Sequence, residues 1–264
     1  MKDPNSPVFE QLPLQLAPGE ATEFIQTGSK CIDFVCGGIP KNRVTVVTGG
    51  SGQGKSMLLA NMAYLTAVNN PNVNVAYISL ENERADDSDR FNTIIADYGK
   101  CANFDYANLS DQAFNAETET DAWEMLKVVL ENTSYDLYFI DGTEMVFSQD
   151  PQQMHLNGNE CMKEYIKMTK AGKTIIFSWQ LKKESVGKKL KELSQFDISA
   201  SSCICQKAGV VLAIGSNDNM NKSIRILKCR YRRATDSEEE NLIYNSMTGN
   251  QYKLIANKTI RRDS

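Results

Sequence analysis

Histidine is almost missing from this chain: His155 is the one example in 264 residues. Seven cysteines are present, but no two stand at CxxC spacing. Together these shortages argue against a structural zinc site, which needs paired Cys or His ligands. The odd number, scattered over Cys31, Cys36, Cys101, Cys161, Cys203, Cys205 and Cys229, suits a reducing compartment better than a disulfide framework. Long apolar runs are lacking too: none approaches the about 18 residues of a membrane span. The N-terminal stretch has no apolar core of a secretory signal. We therefore expect a soluble cytoplasmic protein without membrane partners. A marked charge excess is absent as well. Lys plus Arg is 29 and Asp plus Glu is 33, a net charge of −4, which excludes a polybasic coat but allows a local basic lining. What is there is ordinary for a folded domain: 41% hydrophobic and 23% charged residues.

Residues 1–26 form an N-terminal arm or linker. Pro4, Pro7, Pro13 and Pro18 punctuate it, so it either stays without a core or docks Phe9, Leu12, Leu14 and Leu16 on another subunit. Residues 27–264 read as one domain. Apolar, β-branched runs at 43–47, 74–80, 137–140, 174–179 and 210–214 predict strands. Helical patterns at 55–68, 83–98, 117–131 and 160–171 lie between them. Continuous apolar strands alternating with helices predict an α/β fold, a parallel sheet covered on both faces. The segments IRILK and NLIYN flank the charged stretch 230–240 and predict an antiparallel C-terminal extension. The acidic run 236–240 then reads as a solvated hairpin tip.

The strongest chemical signal is Gly49-Gly50-Ser51-Gly52-Gln53-Gly54-Lys55-Ser56, which fits GxxxxGK(S/T) between a strand and a helix. Glycines let backbone N–H groups turn toward phosphate oxygens, and the helix N-terminus adds its dipole. Lys55 is expected at the β- and γ-phosphates and Ser56 on Mg²⁺. The strand in TSYDLYFIDGTE ends in Asp141, where α/β sheets place their ligands, so Asp141 is a second Mg²⁺ candidate. In AYISLENE, Glu81 stands at a strand end and is a candidate for polarising the attacking water. On position alone, Glu81 or Glu83 could equally be an acid opening the next helix.

Taken in order, these segments resemble the RecA-like ATPase domain of hexameric replicative helicases of the DnaB type, including the helicase halves of phage primase-helicases. The resemblance spans about 27–255. TGSKCIDFVCGGIPKNRVTVVTGGSGQGKS is similar to that family's leading segment and Walker A loop. SLENERADDSDR resembles its SLE motif, which implies Glu81 as catalytic glutamate and Arg90 as the arginine of the following helix. IIFSWQL implies Gln180 as the glutamine that senses the γ-phosphate. ILKCR implies Lys228 and Arg230 as a KxR pair reaching a neighbour's ATP site. With the family come ATP and Mg²⁺, a homo-oligomer of hexameric form, single-stranded DNA, 5′→3′ unwinding at a replication fork, and a primase or helicase loader as partner. A phage-encoded member would work in the host cytoplasm.

Beyond the glutamine strand, Lys182, Lys183, Lys188, Lys189 and Lys191 cluster around Gly187. They read either as a DNA-binding loop, giving sequence-independent and salt-sensitive contact, or as a solvated face interleaved with Glu184 and Glu192. Aromatic interleaving is sparse, so base stacking on this loop is not expected. The family's GSGxIEQ segment reads SASSCICQ over 199–206, keeping Ile204 and Gln206 and replacing the acid with Cys205. Cys203 and Cys205 read as core residues. That departure keeps a rival reading open: a RecA/KaiC-like ATPase acting as a recombination mediator or regulatory assembly.

Overall fold

A computed structural model describes residues 22–28, 32–33, 36–110, 119–147, 151–216, 222–231, 242–248 and 251–255. Most of the expected N-terminal arm and the acidic run 236–240 lie outside the described residues. In chain order the strands are β1 (Phe24–Ile25), β2 (Ile39–Pro40), β3 (Val44–Gly49), β4 (Val75–Ser79), β5 (Phe104–Asn108), β6 (Leu137–Asp141), β7 (Thr174–Gln180), β8 (Val210–Ser216), β9 (Lys222–Cys229), β10 (Leu242–Thr248) and β11 (Gln251–Ile255). The helices are α1 (Lys55–Asn69), α2 (Arg84–Tyr98), α3 (Glu119–Asn132), α4 (Pro151–Lys170) and α5 (Ser201–Lys207).

β1 and β2 make a small antiparallel pair. The main sheet runs β11-β10-β9-β8-β3-β7-β6-β4-β5. From β8 to β5 every neighbouring pair is parallel. From β8 to β11 the pairing is antiparallel, as the C-terminal segments predicted. The result is the α/β architecture of a RecA-like domain, with β3 between β7 and β8 at the sheet centre.

Side-chain alternation along the strands builds one core on each face. Val46, Ile140, Phe177 and Trp179 face α3 and α4, where Leu126, Leu130, Met162 and Tyr165 cover them. Val47, Phe139 and Ile176 face the other way, under Leu58, Met62 and Tyr64 of α1 and Phe91 and Ile94 of α2. Both faces are covered, which is why the central strands read as unbroken apolar runs. Among the described residues no helix is long and apolar enough to cross a membrane.

Among the elements that depart from the sequence expectation are β5 and α4. β5 was not predicted, because FDYAN alternates and lies half-exposed at the sheet edge, with Phe104 and Tyr106 packed inward. α4 starts at Pro151 rather than at 160. Proline suits a first helical position, and the polar stretch before 160 carries no apolar period to betray the helix. Cys203 and Cys205 are both buried, as expected of core residues.

Candidate active site at the phosphate loop

β3 delivers the chain at Gly49 into the loop 50–54, and α1 opens at Lys55. Gly49 has no alternative: a Cβ there would sit 2.6 Å from the carbonyl oxygen of Ile214 on β8. Gly54 closes the loop with φ 101°, a left-handed conformation that favours glycine. The loop is drawn tight by the Gln53 N–H donating to the Gly50 carbonyl at 3.2 Å. No side chain caps α1 and no acid stands in its first turn, so the positive end of the helix is directed at the loop. Lys55 is 7% exposed, its stem packed away beneath the loop.

The carboxylates arrive by strand pairing. β4 and β6 run parallel with Ser79 opposite Asp141, and the Leu80 N–H donates to the Asp141 carbonyl at 2.9 Å. Glu81 therefore emerges beside Asp141. Gly142, at φ 76°, makes the approach possible, since a Cβ there would stand 2.6 Å from that of Glu81. Asp141 is fully buried. Its Oδ2 accepts from Asn82 Nδ2 at 2.9 Å and from the Tyr77 hydroxyl at 3.3 Å. Its Oδ1 is buried with no hydrogen-bond partner. A buried carboxylate oxygen with unused lone pairs beside a phosphate loop is chemically suited to a hydrated divalent cation.

Burial raises the Glu81 pKa, Asp141 raises it further, and Lys55 and Arg90 oppose both. The Glu81 carboxylate is thereby a stronger base than an ordinary glutamate. Ser51, Gly52, Gly54, Lys55, Ser56, Met57, Glu81, Asn82 and Arg90 line one cleft of about 230 Å³. Arg90 is held there by an ion pair with buried Asp87, which also accepts from Tyr106 and Asn108 at 3.2 Å. Glu144 was missed by the sequence reading. It is 1% exposed on the turn after β6, and burial pushes its pKa up to about 8 against the pull of Lys55. An acid three places after the strand-end Asp141, inside TEMVF, was the available signal.

Gln180 ends β7 directly opposite Gly49, so it borders the loop. Residues 182–197 fold over the same side as three short 3₁₀ turns. Val186 comes within 3.4 Å of where a Gly50 Cβ would be, and Lys188 and Lys189 line a second cleft with Gly50, Gln53 and Ser216. Lys182 is half-buried, while Lys183, Lys188 and Lys189 are exposed. Asp197, not singled out from the sequence, organises this segment. It pairs with Lys188 and accepts from Ser185 Oγ at 2.7 Å and from Ser194 N and Oγ at 2.7 and 2.8 Å. Burial works to raise its pKa, but Lys188 and the serine donors overcome it and hold the carboxyl well below the usual range.

Lys228 and Arg230 are not brought to this site. Lys228 is level with Val211, the Arg230 N–H donates to the Gly209 carbonyl, and Gly209 in turn donates to Val44, where β3 begins. The phosphate loop follows the far end of β3 at Gly49, roughly 16 Å away at about 3.3 Å per residue. Both cations instead rest on the C-terminal carbonyls of α5. Lys228 donates to Cys205 and Gln206, and Arg230 donates to Gln206. The departing segment 199–206 thus supplies their resting place.

No curated protein matches the chain. Among solved structures it is similar to a KaiC-like protein of the hyperthermophilic archaeon Pyrococcus horikoshii OT3, with TM-score 0.60 and 15% identity over 89% of this chain and 100% of that one. It is also similar to the ATPase domain of G40P, with TM-score 0.66 and 12% identity over 90% of this chain and 94% of that one. At such identities these likenesses speak for the fold. The family model described as "ATPase: KaiC" matches residues 25–248, so the chain belongs to the KaiC ATPase family, within the RecA-like α/β class.

Proposed function

We propose that this chain is the ATP-hydrolysing motor of a hexameric ring that translocates on single-stranded DNA and unwinds duplex DNA during replication. The observation that carries the ring is the position of Lys228 and Arg230. They stand at the sheet edge opposite their own phosphate loop, too far for a side chain to span. A guanidinium at a strand end, unable to serve its own site, is placed to serve another subunit's.

The loop N–H groups and Lys55 would bind the β- and γ-phosphates, with Ser56 and the unused Asp141 Oδ1 holding Mg²⁺. Mg²⁺, when bound, neutralises phosphate charge. Glu81 takes the proton of the attacking water on its carboxylate, and its raised pKa favours that transfer. Arg90, fixed by Asp87, adds positive charge to the cleft it shares with Glu81, and Gln180 beside Gly49 reports phosphate occupancy to the segment that follows β7. Lys182, Lys183, Lys188 and Lys189 on that segment neutralise DNA phosphates without reading sequence. Lys228 and Arg230 of one subunit leave the α5 carbonyls to complete the site of the next. Charge supplied across the gap makes hydrolysis depend on ring closure. A primase or helicase loader would then be the partner at the fork.

Strand displacement on forked DNA tests this reading. ATP-dependent release of the displaced strand is expected, with none when Lys55 is replaced by alanine. A second reading, a regulatory or recombination-mediating assembly, is favoured by the KaiC family match and by the altered 199–206 segment. Robust ATP hydrolysis with no displacement on any fork would replace the first reading with the second.

A further inference from the structure

Residues 182–197 bury their leucines and display their one aromatic ring. Leu190 is 1% exposed and Leu193 3%, whereas Phe196 is 71% exposed, the most exposed large hydrophobic residue among those described. The segment therefore has an apolar floor available and leaves the phenyl ring outside it. A single exposed hydrophobic residue is ordinary on a protein surface, and what marks this ring is its place in a segment rich in lysine.

The turn that carries the ring is tied by polar contacts. The Phe196 backbone N–H donates to Ser194 Oγ at 3.3 Å, and the neighbouring Asp197 carboxylate accepts from Ser194 N and Oγ at 2.7 and 2.8 Å. The Asp197 carboxylate also pairs with Lys188, and the Lys182 backbone N–H donates to the Asp197 carbonyl at 2.8 Å, so both lysines belong to the stretch of chain facing this turn. An exposed aromatic on the segment that also exposes Lys183, Lys188 and Lys189 offers the two features that single-stranded nucleic acid recognises, a face for a base and positive charge for the backbone.

We propose that Phe196 is a base-stacking residue for single-stranded DNA, seated between backbone contacts made by the lysines of the same segment. This rests on the DNA-motor reading and goes beyond the expectation that the basic segment contacts phosphates alone. Stacking gives a use to a ring left 71% exposed on a turn tied by four hydrogen bonds and an ion pair. It also makes binding depend on bases without depending on their identity, because every base has a π-face.

Affinity of the full chain for oligo(dT) and for an abasic strand of equal length, compared between wild type and Phe196→Ala, tests the proposal. The variant should lose about 5- to 100-fold on oligo(dT), the range for losing one stacked base, and stay within about twofold on the abasic strand. Phe196→Trp should keep the affinity, and its fluorescence should be quenched by oligo(dT) but not by the abasic strand. Trp123 and Trp179 are buried and give a constant background. Equal losses on both strands, or no loss on either, would overturn stacking while leaving the DNA reading in place. A smaller assembly in sedimentation, with strand discrimination unchanged, would assign Phe196 to a contact between copies of the chain. Failure of the wild type to bind either strand would instead remove the DNA reading itself.

Discussion

On one side of the phosphate loop, Glu81 and Asp141 extend from strands that pair residue by residue from Val75–Leu137 to Ser79–Asp141. On the other, residues 182–197 contain only single-turn 3₁₀ elements tied together by one carboxylate, Asp197. The first region is fixed by a buried ladder and two apolar cores, so local opening there approaches global unfolding. The second rests on a few polar contacts, several at the surface, and can open alone. Bond-making chemistry needs the first kind of support, and a segment that must respond to phosphate and strand needs the second.

The comparison breaks most visibly at Lys55. Lys55→Ala should abolish ATP hydrolysis, a fall of at least about 10²–10³-fold, since the loop loses its point charge at the phosphates. A steady-state ATPase assay on folded variant checks this. Glu81→Gln should keep nucleotide binding and lower turnover by about 10²-fold. Because burial and Asp141 raise the Glu81 pKa, the acid limb of the wild-type rate profile should lie above the usual glutamate value, with activity lost as pH falls through it. An acid limb at the ordinary value would place the base elsewhere.

Asp197→Asn probes the looser side. Basal hydrolysis should persist, while DNA stimulation falls by about threefold to tenfold as Lys188 loses its ion pair and the turn its charged acceptor. Hydrogen exchange over 182–197 should quicken with β4 and β6 unchanged. The depressed Asp197 pKa means that its contribution stays intact above the unfolded value and fades only as pH falls through the much lower folded one. Mild acid should therefore leave the segment folded.

The last effect concerns Glu144 and is read in stability rather than in activity. Its folded pKa of about 8 lies above the ordinary 4.5, so its stabilising effect is full below 4.5 and is lost as pH rises toward 8. Glu144→Gln removes the titration. The variant should gain stability relative to wild type between mildly acidic and mildly basic pH, as read from chemical denaturation. A difference that stays flat with pH would show that Glu144 is ionised in the folded state.

Much of this arrangement was legible before any coordinates. GGSGQGKS carries its own geometry in its glycines, and the strands at 137–140 and 174–179 are apolar throughout because both sheet faces are covered. Asp141 and Glu81 followed from strand ends. What escaped reading depended on contacts distant in sequence. Asp197 matters only because Ser185, Lys188 and Ser194 fold around it, and Phe196 is conspicuous only once Leu190 and Leu193 are seen to be buried. β5 hid because an edge strand needs only alternate apolar residues. The resting contacts of Lys228 and Arg230 on α5 had no signature beyond the bases themselves.

The shared site across subunits is tested most directly by mixing Lys55→Ala chains with Arg230→Ala chains. Each variant alone should lack DNA-stimulated hydrolysis; an arginine supplied in trans is worth roughly 10³–10⁵ in rate. In mixed rings some interfaces join an intact Lys55 on one chain to an intact Arg230 on the next, so hydrolysis should return in part. If mixed rings form and no activity returns, Arg230 does not act across a subunit gap and the ring-motor account fails.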